Sequence, residues 1–249
     1  MTHLFGLILN SSDNIEFNVK VSFLEIYNEK IQDLLDVENN TIDNVLARKT
    51  NLQIKEDKTR GIFVQDATEI YVNSAEQMQQ VHKTGSENRT IAATRMNERS
   101  SRSHSIFILL IIQKDIKTEA TKHSNVIDKG LETGKLYFVD LAGSEKVAKT
   151  HVSGQQLEEA KNINKSLTVL GQVINSLVET SQGKSTHIRY RDSKLTFILK
   201  DSLGGNSKTC LIANISPASS SFPETLSTLK FAQRAKQIKN KASINEDSL

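Results

Sequence analysis

The sequence predicts an α/β protein, a sheet flanked by helices, and three features carry that expectation. Strand-like and helix-like stretches alternate along the chain. His104 to Ile112 is a nearly continuous apolar run, as in a strand covered on both faces. Gly154 to Thr180 repeats apolar residues at threes and fours with no proline, the pattern of a long amphipathic helix.

Taken in order, Phe17, Val19, Val21 and Phe23 alternate with polar residues and predict a half-buried strand. A short helix is expected through Ile31, Leu34 and Leu35. Asp36 to Asn51 is polar and aperiodic and reads as a surface insertion, as does Lys117 to Gly134. Short strands are expected around Leu52 to Ile54, Ile62 to Val64 and Glu69 to Val72. Ser74 with Gln77 three residues on is a capping box and should open a helix. In the long helix Leu157, Ala160, Ile163, Leu167, Leu170, Ile174 and Leu177 form one stripe, with Ser153 and Gln156 placed to cap it. Lys194 to Leu203 reads as a helix ended by Gly204-Gly205, Thr209 to Ile215 as a strand, and Glu224 to Lys239 as a last helix entered through Pro223.

At 249 residues, 37% hydrophobic and 24% charged, the chain has the makings of one soluble domain with a sizeable core. A net charge of +3 is too weak to argue for nucleic acid, so any polyanionic partner has to be sought in local clusters. The single cysteine, Cys210, excludes an internal disulfide and fits a reducing compartment. No apolar stretch approaches the roughly 20 residues of a membrane span, and Met1-Thr2-His3-Leu4 lacks the basic start of a signal peptide.

Two motifs carry chemistry. In Asp140-Leu141-Ala142-Gly143-Ser144-Glu145 the carboxylate of Asp140 leaves the end of an apolar strand, where an acid can hold the water shell of Mg²⁺. Gly143 is placed to offer its N–H to a terminal phosphate. In Asn97-Glu98-Arg99-Ser100-Ser101-Arg102-Ser103-His104, Ser101 suits Mg²⁺ and Ser100 suits relay of a proton from an attacking water. Alone this would be a serine-rich turn. Glu145 adds an acid that can pair with Arg102 and latch the two segments. His104 opens a strand and reads as a hydrogen-bonded structural histidine. Absent is the phosphate cradle G-x-x-x-x-G-K-S/T. Gly183-Lys184-Ser185 comes nearest, but Val178 stands where the first glycine belongs and the preceding segment reads as helix.

Through Asn97 to Phe107, Leu136 to Thr150, Leu157 to Leu170, Tyr190 to Thr196, Asp201 to Asn206 and Glu224 to Asn240, the chain resembles the motor domain of kinesins, above all conventional kinesin (kinesin-1) heavy chain. The resemblance runs from about Glu16 to Asn245. It implies a kinesin-motor-like P-loop NTPase fold, with a central mixed, mainly parallel sheet flanked by helices, here lacking its first strands, helices and phosphate-binding loop. It makes residues 1–240 a partial motor domain and 241–249 the start of the neck linker, with no dimerisation region. It assigns Asn97, Ser100, Ser101 and Arg102 to switch I, with Ser101 on the metal, and Asp140, Gly143 and Glu145 to switch II. ATP and Mg²⁺ are then the cofactors of the complete motor, and hydrolysis by this chain alone is not expected.

The partner implied is tubulin in microtubules, placing the protein in the cytoplasm on the cytoskeleton, with neither nucleic acid nor membrane insertion. Asn162 to Leu167 and Tyr190 to Lys194 match the family's microtubule-binding helix and loop, which assigns Lys146, Lys161, Lys165, Tyr190, Arg191 and Lys194 to that contact. Phe197 stands where the family usually has arginine, and Arg189 where it usually has proline. A non-catalytic microtubule-binding protein is the second reading, and another P-loop-type NTPase the third.

Overall fold

A computed structural model of the chain describes residues 1–12, 14–36, 51–58, 60–94, 102–115, 131–144 and 155–247. In chain order its elements are α1 (Thr2–Leu9), β1 (Ile15–Tyr27), β2 (Lys30–Asp33), β3 (Ile54–Asp57), β4 (Gly61–Val64), β5 (Ile70–Tyr71), α2 (Ala75–Thr94), β6 (His104–Asp115), β7 (Leu131–Asp140), α3 (Gln155–Ser181), α4 (Lys194–Ile198), α5 (Phe222–Ala235) and β8 (Asn245–Asp247). A 3-10 turn at Tyr190–Asp192 precedes α4.

The sheet runs β2-β1-β6-β7-β8, with β5 also against β1, and β3 and β4 form a separate hairpin. β1 pairs with β6 along nearly its whole length, from Ile15 opposite Asp115 to Ile26 opposite His104. Val19, Val21 and Phe23 of β1 pack with Phe107, Leu109 and Met78 under α2. Leu24 and Ile26, of opposite parity, pack with Ile31, Ile106, Leu170, Ile174, Leu195 and Ile198 under α3 and α4. Helices therefore cover both faces of the central strands, which is why β1 is buried continuously from Val21 to Ile26. On the α2 side the fit is close enough that a Cβ at Gly85 would lie 2.3 Å from the Phe23 ring.

Ser74 caps α2 as expected, its Oγ accepting the Gln77 N–H at 3.2 Å, while Gln77 Oε1 reaches one residue past the cap and accepts the Asn73 N–H at 2.8 Å. The long helix is present, although Ser153 lies outside the described residues. Gly183, with φ +90°, ends its last turn, so Gly183-Lys184-Ser185 is a helix stop. Lys135 of β7 reaches the β3–β4 hairpin, where its ammonium donates to Ile62 O at 2.9 Å.

Several expectations are corrected. Ile31, Leu34 and Leu35 have helical spacing but follow a two-residue turn at Asn28 (φ 53°) and Glu29 (φ 58°) that folds β2 back on β1, Ile31 facing Ile26. Both left-handed residues match the right-handed twist of a hairpin, and that tight turn overrides a three-residue apolar pattern. The expected strand from Thr209 to Ile215 is not one, and Ile212 is 80% exposed. An apolar run becomes a strand only beside a ladder that can take its N–H and C=O groups, and none of the described strands does so.

With that run unpaired, every pairing among the described residues is antiparallel, where a mainly parallel sheet was expected. The second insertion is shorter than expected, because Leu131 to Gly134 already belong to β7. The bulk of both expected insertions, 37–50 and 116–130, lies outside the described residues. α4 ends at Ile198 and continues to Leu203 as turns, and α5 ends at Ala235. Among the described residues no helix is long and apolar enough to cross a membrane.

Candidate functional site

Asp140 is the last residue of β7 and stands opposite Ser105, so the sheet register brings the acidic motif beside the end of the serine-rich one. Its side chain is 71% exposed. Arg89, on α2, reaches across to it: Nη1 lies 3.2 Å from Asp140 Oδ2, while Nη2 donates to Ser103 O at 3.1 Å and to Ser103 Oγ at 3.3 Å. Behind this pair, Ser103 Oγ donates to Glu25 Oε1 at 2.7 Å, and Arg89 Nε lies 3.7 Å from the same oxygen.

Glu25 is fully buried, and a carboxylate there is tolerable only with a cation and donors around it. Motif reading missed Arg89 and Glu25. No sequence signal marks them, because β1 also carries Asn18, Lys20 and Ser22 and a further polar residue at Glu25 does not stand out.

His104 joins three elements. Its Nδ1 accepts the Ala142 N–H at 2.9 Å, and its Nε2 lies 2.7 Å from Ser166 Oγ on α3. A backbone N–H can only donate, so the proton of the neutral ring sits on Nε2 and is donated to Ser166. Burial, with only 2% of the residue exposed, lowers the imidazole pKa to about 4, partly opposed by Asp140 and reinforced by Arg89. His104 is thus a neutral, doubly bonded structural histidine, as its sequence position suggested. It ties the segment holding Ala142 and Gly143 to α3.

At the other end of that arrangement, Lys165 is exposed on α3 immediately before Ser166. α4 begins at Lys194, whose N–H donates to Glu29 Oε2 of the β1–β2 turn at 2.9 Å. Tyr190 is half-buried, donates from its hydroxyl to Leu203 O at 2.6 Å, and has its pKa raised by burial. Arg191 donates to Glu56 Oε2 at 3.0 Å, and Lys200 donates to the other oxygen of the same carboxylate. Those two hydrogen bonds, Lys200's first, hold the Glu56 carboxyl below its ordinary pKa.

A family model of the kinesin motor domain matches residues 1–238. The chain belongs to the kinesin motor domain family. It is 54% identical over 244 residues to a kinesin heavy chain of Syncephalastrum racemosum, covering 98% of this chain and 24% of that one. It is 53% identical to kinesin-related protein 3 of Dictyostelium discoideum, covering 98% and 18%. The chain therefore spans a quarter or less of these kinesins. Among solved structures, that of a fast kinesin is 51% identical with a TM-score of 0.80, covering 98% of this chain and 63% of that one. A KIF14 dimer in a two-heads-bound state, with AMP-PNP and in complex with a microtubule, is 42% identical with a TM-score of 0.83, covering 99% and 65%.

Of the residues read from the kinesin resemblance as switch I, Asn97, Ser100 and Ser101 lie outside the described residues, and Arg102 is half-buried at the approach to β6. Of switch II, Asp140 and Gly143 are described, next to Arg89 and to the residue held by His104, while Glu145 lies outside. The Arg102–Glu145 pair is therefore outside what the structure describes. Lys146 is outside as well, and Lys161 lies in α3 with its side chain undescribed. Lys165, Tyr190, Arg191 and Lys194 are described, on α3, the 3-10 turn and α4, elements that pack together.

Proposed function

We propose that the chain is the part of an ATP-driven, microtubule-based kinesin motor, of the plus-end-directed type, that holds both switches and the microtubule face. What carries this reading is His104, whose two ring nitrogens bind the switch II loop at Ala142 and the helix α3 at Ser166. A motor needs such a mechanical link between the place that senses nucleotide and the helix that meets the track. In this reading residues 1–240 are partial motor domain, and 241–249 begin the neck linker.

Asp140 would hold Mg²⁺ through water, with Ser101 as a direct ligand and Asn97 nearby. When bound, Mg²⁺ supplies the charge that neutralises the phosphates during transfer. Gly143 would meet the terminal phosphate through its N–H, Ser100 would relay the proton of the attacking water, and Arg102 with Glu145 would latch the switches. Lys146, Lys161, Lys165, Tyr190, Arg191 and Lys194 would meet the acidic surface of tubulin, so the protein works on the cytoskeleton.

One sequence feature favours the second reading, a non-catalytic microtubule-binding protein: no G-x-x-x-x-G-K-S/T occurs in the 249 residues. A single set of measurements tests both. Co-sedimentation with microtubules should occur, fall as salt rises, and be lost when Lys165→Glu and Lys194→Glu are combined, with a spin lacking microtubules as the control. Equal binding by that folded variant would remove the microtubule assignment. Phosphate release from the same mixtures should be absent for this chain, and microtubule-stimulated release would show hydrolysis without that loop.

A further inference from the structure

The face shared by α4 and the β3–β4 hairpin holds a carboxylate occupied by two cations. Glu56 accepts from Arg191 on one oxygen and from Lys200 on the other. Arg191 is 73% exposed, so solvent screens its ion pair, but the guanidinium also lies over Phe197, 5.1 Å from the ring centre. The planar fork is thus held on one face by an aromatic ring and along its N–H edge by an acid. Phe197 stands where arginine is usual in kinesins, so the residue that would add charge to this face here fixes the charge already present.

We propose that Glu56 is a built-in competitor for the acidic partner: it occupies Arg191 and Lys200 in the free chain and so sets how tightly this face grips microtubules. The proposal rests on the microtubule reading above. When the face meets an acidic surface, Arg191 can only exchange one carboxylate for another, a nearly neutral trade. Glu56, once released, faces like charge on the partner, which opposes binding. Phe197 lowers the cost of neither step, but it keeps the guanidinium flat and aimed at Glu56. A face built this way binds more weakly and releases faster than its count of cations suggests.

The experiment is a double-mutant cycle read by microtubule co-sedimentation of the full chain at low salt, with circular dichroism confirming fold. Glu56→Gln, isosteric and at the surface, should tighten binding by about three- to tenfold. Arg191→Ala should weaken binding several times more in the Glu56→Gln background than in the wild type, because only there is the guanidinium uncommitted. An equal effect of Arg191→Ala in both backgrounds overturns the proposal, since Glu56 would then act only through net charge. So does unchanged affinity in Glu56→Gln. Failure of the microtubule reading looks different: the wild type itself would not pellet with microtubules, and both proposals would fall together.

Discussion

The pH dependence of stability should carry a signature of His104. In the folded chain its Nδ1 is committed to the Ala142 N–H, and protonation would set two donors against each other inside the core. The unfolded imidazole takes up a proton near pH 6.5, whereas the native one waits until about 4. A depressed native pKa means that stability is fully present above about 6.5 and is lost as pH falls toward 4, because over that window the unfolded state binds the extra proton. At about 1.36 kcal/mol per pKa unit, the gap from 6.5 to about 4 amounts to about 3 kcal/mol, a large part of an ordinary domain's margin.

The comparison that isolates it is wild type against His104→Asn, whose side-chain oxygen can still accept from Ala142 but does not titrate. Urea unfolding followed by far-UV circular dichroism, needed because the chain has no tryptophan, would be run from pH 7 to pH 4.5. Carboxylates common to both proteins cancel in the difference. The advantage of the wild type should shrink by about 2 to 3 kcal/mol across that range. A difference that stays constant with pH would refute both the neutral tautomer and the bond to Ala142.

Arg89→Met should destabilise the fold by about 3–5 kcal/mol, because it removes the cation beside the buried carboxylate of Glu25. Adding Glu25→Gln should recover much of the loss in thermal melts, and a loss under about 1 kcal/mol for the single variant would mean that Arg89 is only a surface cation. Gly85→Ala should cost about 1–3 kcal/mol despite alanine's better helix propensity, since its methyl would enter the Phe23 ring. Phe23→Leu should relieve most of that cost, and the two substitutions should be clearly non-additive in urea titrations.

Much of the scaffold was legible because it rests on local patterns. β1, β6, α2 with its cap, and α3 each announce themselves by a period, an unbroken apolar run or a capping pair that tertiary structure only confirms. What failed depended on neighbours. Asn28 and Glu29 both adopt left-handed backbone, which no apolar pattern at Ile31, Leu34 and Leu35 reveals, and Thr209 to Ile215 required a ladder partner that sequence cannot promise. In the candidate site, the place of Asp140 at the end of a strand could be read from the motif, and so could the structural role of His104. Arg89, Glu25 and Ser166 could not, because each matters only through a residue far along the chain. Glu56 was invisible for the same reason: its two cations lie 135 and 144 residues further on.

The cap that Glu29 places on the first residue of α4 has a consequence in time. The two groups are 165 residues apart, and the apolar side of the same hairpin, Ile26 and Ile31, packs with Leu195 and Ile198. A hairpin closes in about 1–10 μs, whereas a ribosome adds about 5–20 residues per second, so 165 residues take on the order of ten to thirty seconds. For that whole interval the β1–β2 hairpin exists without the helix that covers it. Nascent chains should therefore be most vulnerable to sticking at Leu24, Ile26 and Ile31, and a chaperone that binds extended apolar strands has its longest opportunity there, well before the finished molecule can meet any partner.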